Sequence, residues 1–379
     1  MGRGNLVKVL FAVYHDTNSN GRCQQMLHCA ERLGNSILVS YRPVETWELK
    51  PETRVVVTGD GKRRYGKFIL DSIKAIKKEK PDIIMIHDNY CAILIPYIYM
   101  LNPRPYIVYD SSELYIDKKF SNDKKAYLIQ MAENRFLHKA DFIISANAER
   151  AELMRRFFHL KKLPYVFENI RKIDDVPDLE ECERKFGEYL LTGDFLILYA
   201  GGVSENRMTY ELIRAVKKLG KGYRLLLAGY KEEREKQLYE NAMRTTDDNN
   251  VFYLGYLKRS ELRYLFGKIS VSVSMFRQTT LNNINCASGK FYESLFEGCP
   301  VLTGTNPPLK RICNQYGIGV STEDLEGGIK ILKENYEAYR ANVRKYITNL
   351  NIEKSIDMLA DRIRESYKAF CGLESRDKP

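Results

Sequence analysis

The chain has 379 residues, past the size at which a single hydrophobic core keeps growing, so two domains are expected. Hydrophobic residues at 44% and charged residues at 29% describe an ordinary folded globular chain and exclude a disordered one, and no run of ~18 consecutive apolar residues reads as a membrane span. The formal net charge of +11 suits nucleic acid, an anionic membrane surface or simple solubility, and charge alone does not choose among them.

The N-terminal MGRGNLVKVLFAVYHD runs straight into a strand, Leu6–Val13, without a cleavable signal pattern. Gly2 does not open a myristoylation motif, because position six is Leu6 rather than Ser or Thr. Eight cysteines are scattered without a C-x-x-C pair, which argues against a zinc site or a disulfide framework and for reduced thiols in a cytoplasmic protein. After a polar loop, His15–Arg22, a helix is expected from Gly21 to Leu33-Gly34, then strands at Ile37–Ser40 and Val55–Thr58. Phe68, Ile69, Ile73 and Ile76 recur at helical spacing, with Lys74, Lys77 and Lys78 off that face. Pro81-Asp82 opens the strand Ile83–Ile86, which ends in His87-Asp88. An apolar helix around Ala92–Leu101 follows, then the strand Tyr106–Tyr109 ending in Asp110-Ser111-Ser112-Glu113. A helix over Asp123–His138, the strand Phe142–Ser145 and a helix over Asn147–Phe158 complete the first half. Repeated β-α alternation with nearly continuous apolar strands predicts a parallel sheet covered on both faces.

Between Glu168 and Gly193 the composition turns charged and interrupted, and the stretch reads as an interdomain linker with room for one short helix. Alternation then restarts, with strands at Phe195–Tyr199, Arg224–Ala228, Val251–Leu254, Ile269–Ser274, Val301–Thr303 and Ile318–Val320. The tail from about Glu326 is helical, and its last helix, Ile352–Phe370, is expected to pack back on the first domain. The predicted organisation is α/β: an N-terminal Rossmann-like domain over 1–168, a linker over 169–193, a second Rossmann-like domain over 194–350, and a returning helix over 351–379. Two such domains facing a cleft would bind ligands at the carboxyl ends of their strands.

Chemistry concentrates in the second half. Asn282–Pro300 reads as a polar loop, then a helix N-terminus at Ser288-Gly289-Lys290, with Glu293 one turn on and Gly298-Cys299-Pro300 as the stop. Free backbone N–H groups and the helix dipole suit an anion there, and Lys290 adds a point charge suited to phosphate. Glu293 would repel a phosphate, so a vicinal diol such as ribose is its sensible partner; a nucleoside diphosphate satisfies both residues. Upstream, Tyr199-Ala200-Gly201-Gly202 leads through Val203 to Arg207, a glycine turn that lets backbone approach a phosphate and an arginine that can grip it. This is neither G-x-G-x-x-G nor Walker A, so dinucleotide and P-loop readings weaken.

The segment S-G-K-F-Y-E-S-L-F-E-G-C-P-V-L resembles the donor-binding segment of retaining GT-B-fold glycosyltransferases of the group 1, family 4 type, written (P/S)NK-x-x-E-(Y/A)-x-A-x-G-x-P-V. The glycine turn is similar to the family's G-G-(L/V)-x-x-x-R-G, with Met208 in place of the last glycine. Many relatives carry a second glutamate eight positions before the ribose one; here Asn285 stands at that position, which the resemblance implies lies toward the donor sugar. Val251–Leu257 resembles the V-x-F-x-G segment beside the nucleobase, which implies Tyr256 and Leu257 as base contacts. In the first half the resemblance is looser. Asp82–Asp88 resembles D-(I/V)-(V/I)-x-x-H-D, and Tyr109–Leu114 resembles Y-D-x-H-E-L with Ser112 where relatives hold histidine.

The resemblance implies retaining transfer of a sugar from a nucleotide donor to a glycan or lipid-linked glycan, in cell-surface polysaccharide synthesis. Arg207, Lys290 and helix N-termini would stabilise the leaving diphosphate, and His87, Asp110, Ser112 and Glu113 are the candidates on the catalytic and acceptor side. No D-x-D appears in the expected place, so neither a metal nor a resident cofactor is expected. If the acceptor is a membrane-borne lipid-linked sugar, Lys62-Arg63-Arg64, Lys77-Lys78, Lys118-Lys119, Lys124-Lys125, Arg155-Arg156 and Lys161-Lys162, with Phe157-Phe158 or Tyr115 and Phe120, would seat the first domain on anionic headgroups; solvated helix faces are the alternative reading of the same residues. A sugar-nucleotide epimerase of the same fold and a non-catalytic glycosyltransferase-like subunit are the alternatives, the latter favoured by Asn285 and Ser112. A nucleic-acid binder lacks a stacking motif or recognition helix.

Overall fold

A computed structural model describes residues 7–18, 20–44, 49–58, 64–116, 124–190, 193–231, 233–246 and 249–374. Gly2, Leu6, Lys62, Arg63, Lys118, Lys119, Phe120 and Asp123, named above, lie outside the described residues. The chain forms two compact units, one from the segments ending at Glu168 and beginning at Asn351, the other from Asn169–Leu350.

Unit 1 contains, in order, β1 (Lys8–Val13), α1 (Gly21–Leu33), β2 (Asn35–Ser40), β3 (Arg54–Val57), α2 (Tyr65–Glu79), β4 (Ile83–His87), α3 (Asp88–Ala92), α4 (Leu94–Tyr99), β5 (Tyr106–Ser111), α5 (Lys124–Phe136), β6 (Phe142–Ser145), α6 (Ala148–Phe157) and β7 (Tyr165–Val166). Its seven described strands run in the order β3-β2-β1-β4-β5-β6-β7, every pair parallel. Strand order reverses between β1 and β4, where Val13 lies opposite His87. Val9–Val13, β4 and β5 are buried along their length, because helices cover both faces of a parallel sheet. The helix expected over Ala92–Leu101 is split at Ile93. Pro96 explains the break: without an N–H it cannot bond back to the carbonyl four residues earlier. β7 was not anticipated, since two residues carry no readable periodicity.

The unit is completed by the last helix, which the later numbering makes α16 (Ile352–Glu374). Ile356, Leu359, Ala360 and Ile363 are buried against Cys23, Met26, Leu27 and Ala30 of α1. Arg32 pairs with Glu353 and Asp357 on the same seam, and the Arg364 guanidinium donates to the Arg32 carbonyl at 2.8 Å. The exposed ion pairs add little; the buried aliphatic side chains, at roughly 1.5–3 kcal/mol each, hold the helix down.

Unit 2 contains α7 (Leu179–Leu190), β8 (Phe195–Ala200), α8 (Thr209–Leu219), β9 (Tyr223–Ala228), α9 (Lys236–Met243), β10 (Val251–Gly255), α10 (Arg259–Phe266), β11 (Val271–Ser274), α11 (Leu281–Ile284), α12 (Gly289–Phe296), β12 (Val301–Thr303), α13 (Pro307–Tyr316), β13 (Gly319–Ser321), α14 (Leu325–Glu334) and α15 (Tyr336–Thr348). Its six described strands are all parallel, in the order β10-β9-β8-β11-β12-β13, with the reversal between β8 and β11. α7, from the charged stretch after Glu168, buries Cys182 and Phe186 in the core of this unit beside Leu257 and Tyr264. Among the described residues, no helix is long and apolar enough to cross a membrane.

Candidate functional site

In an open parallel sheet, ligands gather beyond the carboxyl ends of the strands where strand order reverses. In unit 2 that point lies between β8 and β11. β8 ends at Ala200 and the chain turns at Gly201-Gly202, whose second carbonyl accepts a 3.0 Å bond from the Tyr199 hydroxyl. Gly229, at φ 141°, lies so close that a Cβ there would stand 1.8 Å from the Gly201 carbonyl oxygen. The turn continues into a single 3-10 turn, 205–207, that carries Arg207. The Arg207 guanidinium sits 4.2 Å from the centroid of the Phe276 ring, just beyond β11.

The two loops are tied together. Arg277 N–H donates to the Asn206 carbonyl at 2.9 Å, and the Asn283 amide donates to the Asn206 side-chain oxygen at 2.9 Å. Asn306, fully buried, donates to the Asn283 carbonyl at 2.9 Å and pins the loop from the β12 side. Phe276 shares a buried cluster with Phe291, Tyr292 and Leu295 of α12. Arg207 and the start of α12 are therefore linked through one aromatic ring.

α12 begins as its sequence predicts: Ser288 is the N-cap, its hydroxyl accepting the Lys290 N–H at 3.3 Å. Lys290 Nζ bonds Glu293 Oε2 at 2.8 Å; the lysine side chain is 32% exposed and the glutamate 1%. Glu293 is thus held in place by the cation next to it, one turn into the helix. A third basic group stands at the same spot. A Cβ on Gly289 would lie 1.8 Å from Arg171 Nη2 and 2.1 Å from Nε, so the Arg171 guanidinium rests on the bare glycine at the helix start. Glycine is needed here for close approach. Gly289→Ala displaces only the far end of Arg171, so it is expected to cost roughly 1 kcal/mol or less in stability while weakening anion binding several-fold, read by thermal shift with pyrophosphate.

The remaining sequence candidates in unit 2 are dispersed around this point. Asn285 is buried at the end of α11, its amide bonded to the Leu281 carbonyl at 2.9 Å. Leu257 is 4% exposed and belongs to the hydrophobic core. Tyr256 is 69% exposed and packs on Tyr230, itself 70% exposed, with ring centroids 5.2 Å apart. An exposed aromatic pair beyond β9 and β10 is a surface on which a base can stack.

In unit 1 the matching point lies between β1 and β4. His87 ends β4, fully buried, and its Nδ1 bonds Asp110 Oδ2 at 2.8 Å. Asp110, 2% exposed, is gripped by Arg22: Nη2 at 2.6 Å and Nε at 3.2 Å from each oxygen, while Nη1 donates to the Phe167 carbonyl at 2.6 Å. Burial alone would raise the Asp110 pKa; the Arg22 charge and the His87 and Arg22 hydrogen bonds outweigh it and bring it down to about 2. With both oxygens engaged, Asp110 orients His87 and Arg22. Next in the chain, Asp88 is fully buried at φ 61°, a left-handed conformation that a non-glycine residue adopts only under local constraint. Its carboxylate lies 3.2 Å from His15 Nε2 and accepts the Glu113 N–H at 3.4 Å. Ser112 offers its carbonyl to Arg150 Nη1 at 2.6 Å, and the half-exposed Glu113 carboxylate lies 3.5 Å from Arg150 Nη2.

With this geometry in hand, the solved structures place the architecture. Sucrose-phosphate synthase from Thermosynechococcus elongatus superposes with a TM-score of 0.74 at 14% identity, covering 96% of this chain and 100% of the other. HepE from Anabaena, solved with UDP and glucose, gives 0.69 at 13% identity, with 95% and 100% covered. WaaG, a glycosyltransferase of lipopolysaccharide biosynthesis, gives 0.67 at 14% identity, with 94% and 99% covered. The fold is GT-B. No family model matches the sequence, and no curated protein does either.

Several residues of this GT-B chain escaped the sequence reading. Arg171 stood inside the stretch read as linker, where its neighbours Lys172, Asp174 and Asp175 mask it. Phe276 closes the apolar run 269–276 and looks like strand, and Tyr230 follows the strand Arg224–Ala228 with no signal of its own. Arg22 closed the early polar loop, and nothing in its vicinity names Asp110, 88 positions away, as its partner. Only the topology brings them together.

Proposed function

We propose that the chain is a retaining glycosyltransferase that moves a sugar from a nucleoside-diphosphate donor to a glycan or lipid-linked glycan acceptor. The observation that carries this reading is the arrangement at the switch point of unit 2. Three cationic side chains, Arg171, Arg207 and Lys290, accompany the N-terminus of α12 and the glycine turn after β8, with one buried carboxylate, Glu293, fixed beside them. A diphosphate suits the cations and the helix start; a ribose diol suits the carboxylate. The solved relatives support the donor class: HepE is bound to UDP-glucose in one structure, at a TM-score of 0.63 and 13% identity.

In this reading Ser288, Gly289, Gly201 and Gly202 bring backbone N–H groups to the diphosphate, Asn285 lies toward the donor sugar, and the exposed Tyr256 frames the base; Leu257, expected beside it, is buried in the core and offers the base no side-chain surface. His87, Asp110, Ser112 and Glu113 of unit 1 serve the acceptor side. The reaction asks for charge stabilisation of the leaving diphosphate more than for proton transfer by the protein. A cytoplasmic site of action in cell-surface polysaccharide synthesis, with peripheral attachment of the basic unit 1 to anionic lipid, completes the proposal. Lys161 and Lys162 lie exposed beside Phe157, 43% exposed, and Leu163, 53% exposed, a mixture that suits a headgroup layer.

The test is thermal stabilisation by UDP, GDP and ADP. One of them is expected to raise the melting temperature by several degrees at 100 times its Kd, corresponding to about 2.7 kcal/mol. Arg207→Ala is expected to remove most of that rise while leaving the melting temperature without nucleotide within about 1 °C; Lys290→Ala is expected to remove most of it too, read as the shift from a lowered baseline, because it leaves the buried Glu293 without its cation. Absence of any response to all three nucleotides ends the proposal. Slow hydrolysis of the matching nucleotide sugar without acceptor separates a transferase from an inert subunit.

A further inference from the structure

Beyond β1 and β4, the sheet of unit 1 brings His87, placed above on the acceptor side, together with His15 and Asp88, to which the proposed transfer assigns no role. We infer that His15, His87 and Asp88 form a binding site for one divalent transition-metal cation. One ring nitrogen of His15, one of His87 and one carboxylate oxygen of Asp88 all lie within 4.8 Å of one another. His15 Nε2 and Asp88 Oδ2 are already 3.2 Å apart. Metal–nitrogen and metal–oxygen bonds of about 2.0–2.2 Å place tetrahedral ligands roughly 3.4 Å from each other, so small side-chain movements close the set.

Three observations point to a cation rather than to a simple ion pair. First, His87 Nε2 is fully buried and has no hydrogen-bond partner among the described residues. Its other nitrogen is spoken for by Asp110, a carboxylate that Arg22 keeps charged and that can only accept, so Nδ1 carries the proton and Nε2 presents a lone pair. A carboxylate behind an imidazole is the arrangement that orients metal-ligating histidines. Second, Asp88 is fully buried, and among the described residues the potentially positive side chain within ion-pair distance of its carboxylate is His15. Third, the strand-to-helix corner holds Asp88 at φ 61°, and such conformations persist where surrounding structure imposes them, commonly at functional positions.

Two imidazoles and one carboxylate suit zinc, manganese or ferrous iron, and three protein ligands leave coordination room for one or two oxygen atoms of water or of a ligand. His15, 23% exposed, leaves an approach from solvent. The inference departs from the expectation of no metal, which concerned a diphosphate and a missing D-x-D rather than this unit.

The experiment is zinc uptake by the full chain after chelator treatment, without nucleotide, followed by calorimetry and elemental analysis, so its outcome is independent of donor binding. One zinc per chain is expected. His15→Ala, a change at the partly exposed ligand, is expected to weaken binding about 100-fold, and Asp110→Asn about 10–100-fold. His15→Gln serves if the alanine variant fails to fold, and His28→Ala, outside the cluster, is expected to bind as the parent does. Cobalt is expected to give visible bands of a nitrogen and oxygen site without a thiolate charge-transfer band. No uptake by the parent, equal uptake by the His15 variants, or a thiolate band from one of the eight free cysteines overturns the site.

Discussion

Arg22→Ala is expected to destabilise unit 1 by about 3–5 kcal/mol, the usual result of removing one partner from a buried ion pair. Arg22 and Asp110 are each 2% exposed, so water cannot take over for the missing guanidinium. The variant loses the fork on Asp110, the bond to the Phe167 carbonyl and the stacking of the guanidinium 4.7 Å from the Phe167 ring. His87 alone is then left against the buried carboxylate. Amide exchange in β4 and β5 of the full chain reads the effect locally, which matters because two units need not unfold in one step. Pairing Arg22→Met with Asp110→Asn is expected to recover most of the loss, since no uncompensated charge stays buried. A loss below about 1 kcal/mol for the single variant, within the range of ordinary surface changes, would show that Asp110 has another stabiliser.

The second large effect is a dependence on pH. Glu133 is 2% exposed in α5, accepts a 2.5 Å bond from the Tyr109 hydroxyl, and meets Gln130 Nε2 at 3.4 Å. Burial pushes its pKa up to about 8; the Tyr109 and Gln130 hydrogen bonds oppose the rise and the Asp88 charge adds to it. In the unfolded chain the group loses its proton near 4.5. The native state therefore holds the extra proton between those values, and stability falls as pH rises from about 4.5 to 8, by a few kcal/mol in all. Below that window both states are protonated and the group contributes no slope; above it both are ionised and the full cost remains. Glu133→Gln keeps an oxygen for Tyr109 and cannot ionise. Its melting temperature is expected to exceed the parent's at pH 9 and to match it at pH 5. Parallel profiles for the two proteins would rule out a buried titrating Glu133.

Most of the fold was readable because parallel strands buried on both faces leave long apolar runs that need no partner information. Phe142–Ser145 and Val301–Thr303 show it: each reads as a strand from composition alone and is one. The start of α12 was equally legible, since Ser288, Gly289 and Lys290 act within one helical turn and local chemistry is written locally. What escaped depended on distance. Arg171 reaches Gly289 across 118 positions, and its meaning lies in the missing Cβ at the far end. Asp110 reads as a strand-end acid beside a helix start; its burial between Arg22 and His87 follows from β1, β4 and β5 lying side by side. Sequence spacing carries periodicity well and pairing across a sheet poorly.

The docking of α16 against α1 has a bearing on how the protein is made. Translation finishes unit 2 before it finishes unit 1, because the helix that seals α1 emerges after Leu350. At about 5–20 residues per second, Cys23, Met26, Leu27 and Ala30 wait tens of seconds on the ribosome with their oily face bare. The nascent chain thus carries an uncovered apolar face on α1 until the segment from Ile356 to Ile363 has emerged, and a product that stops short of Ile356 lacks the helix that covers it.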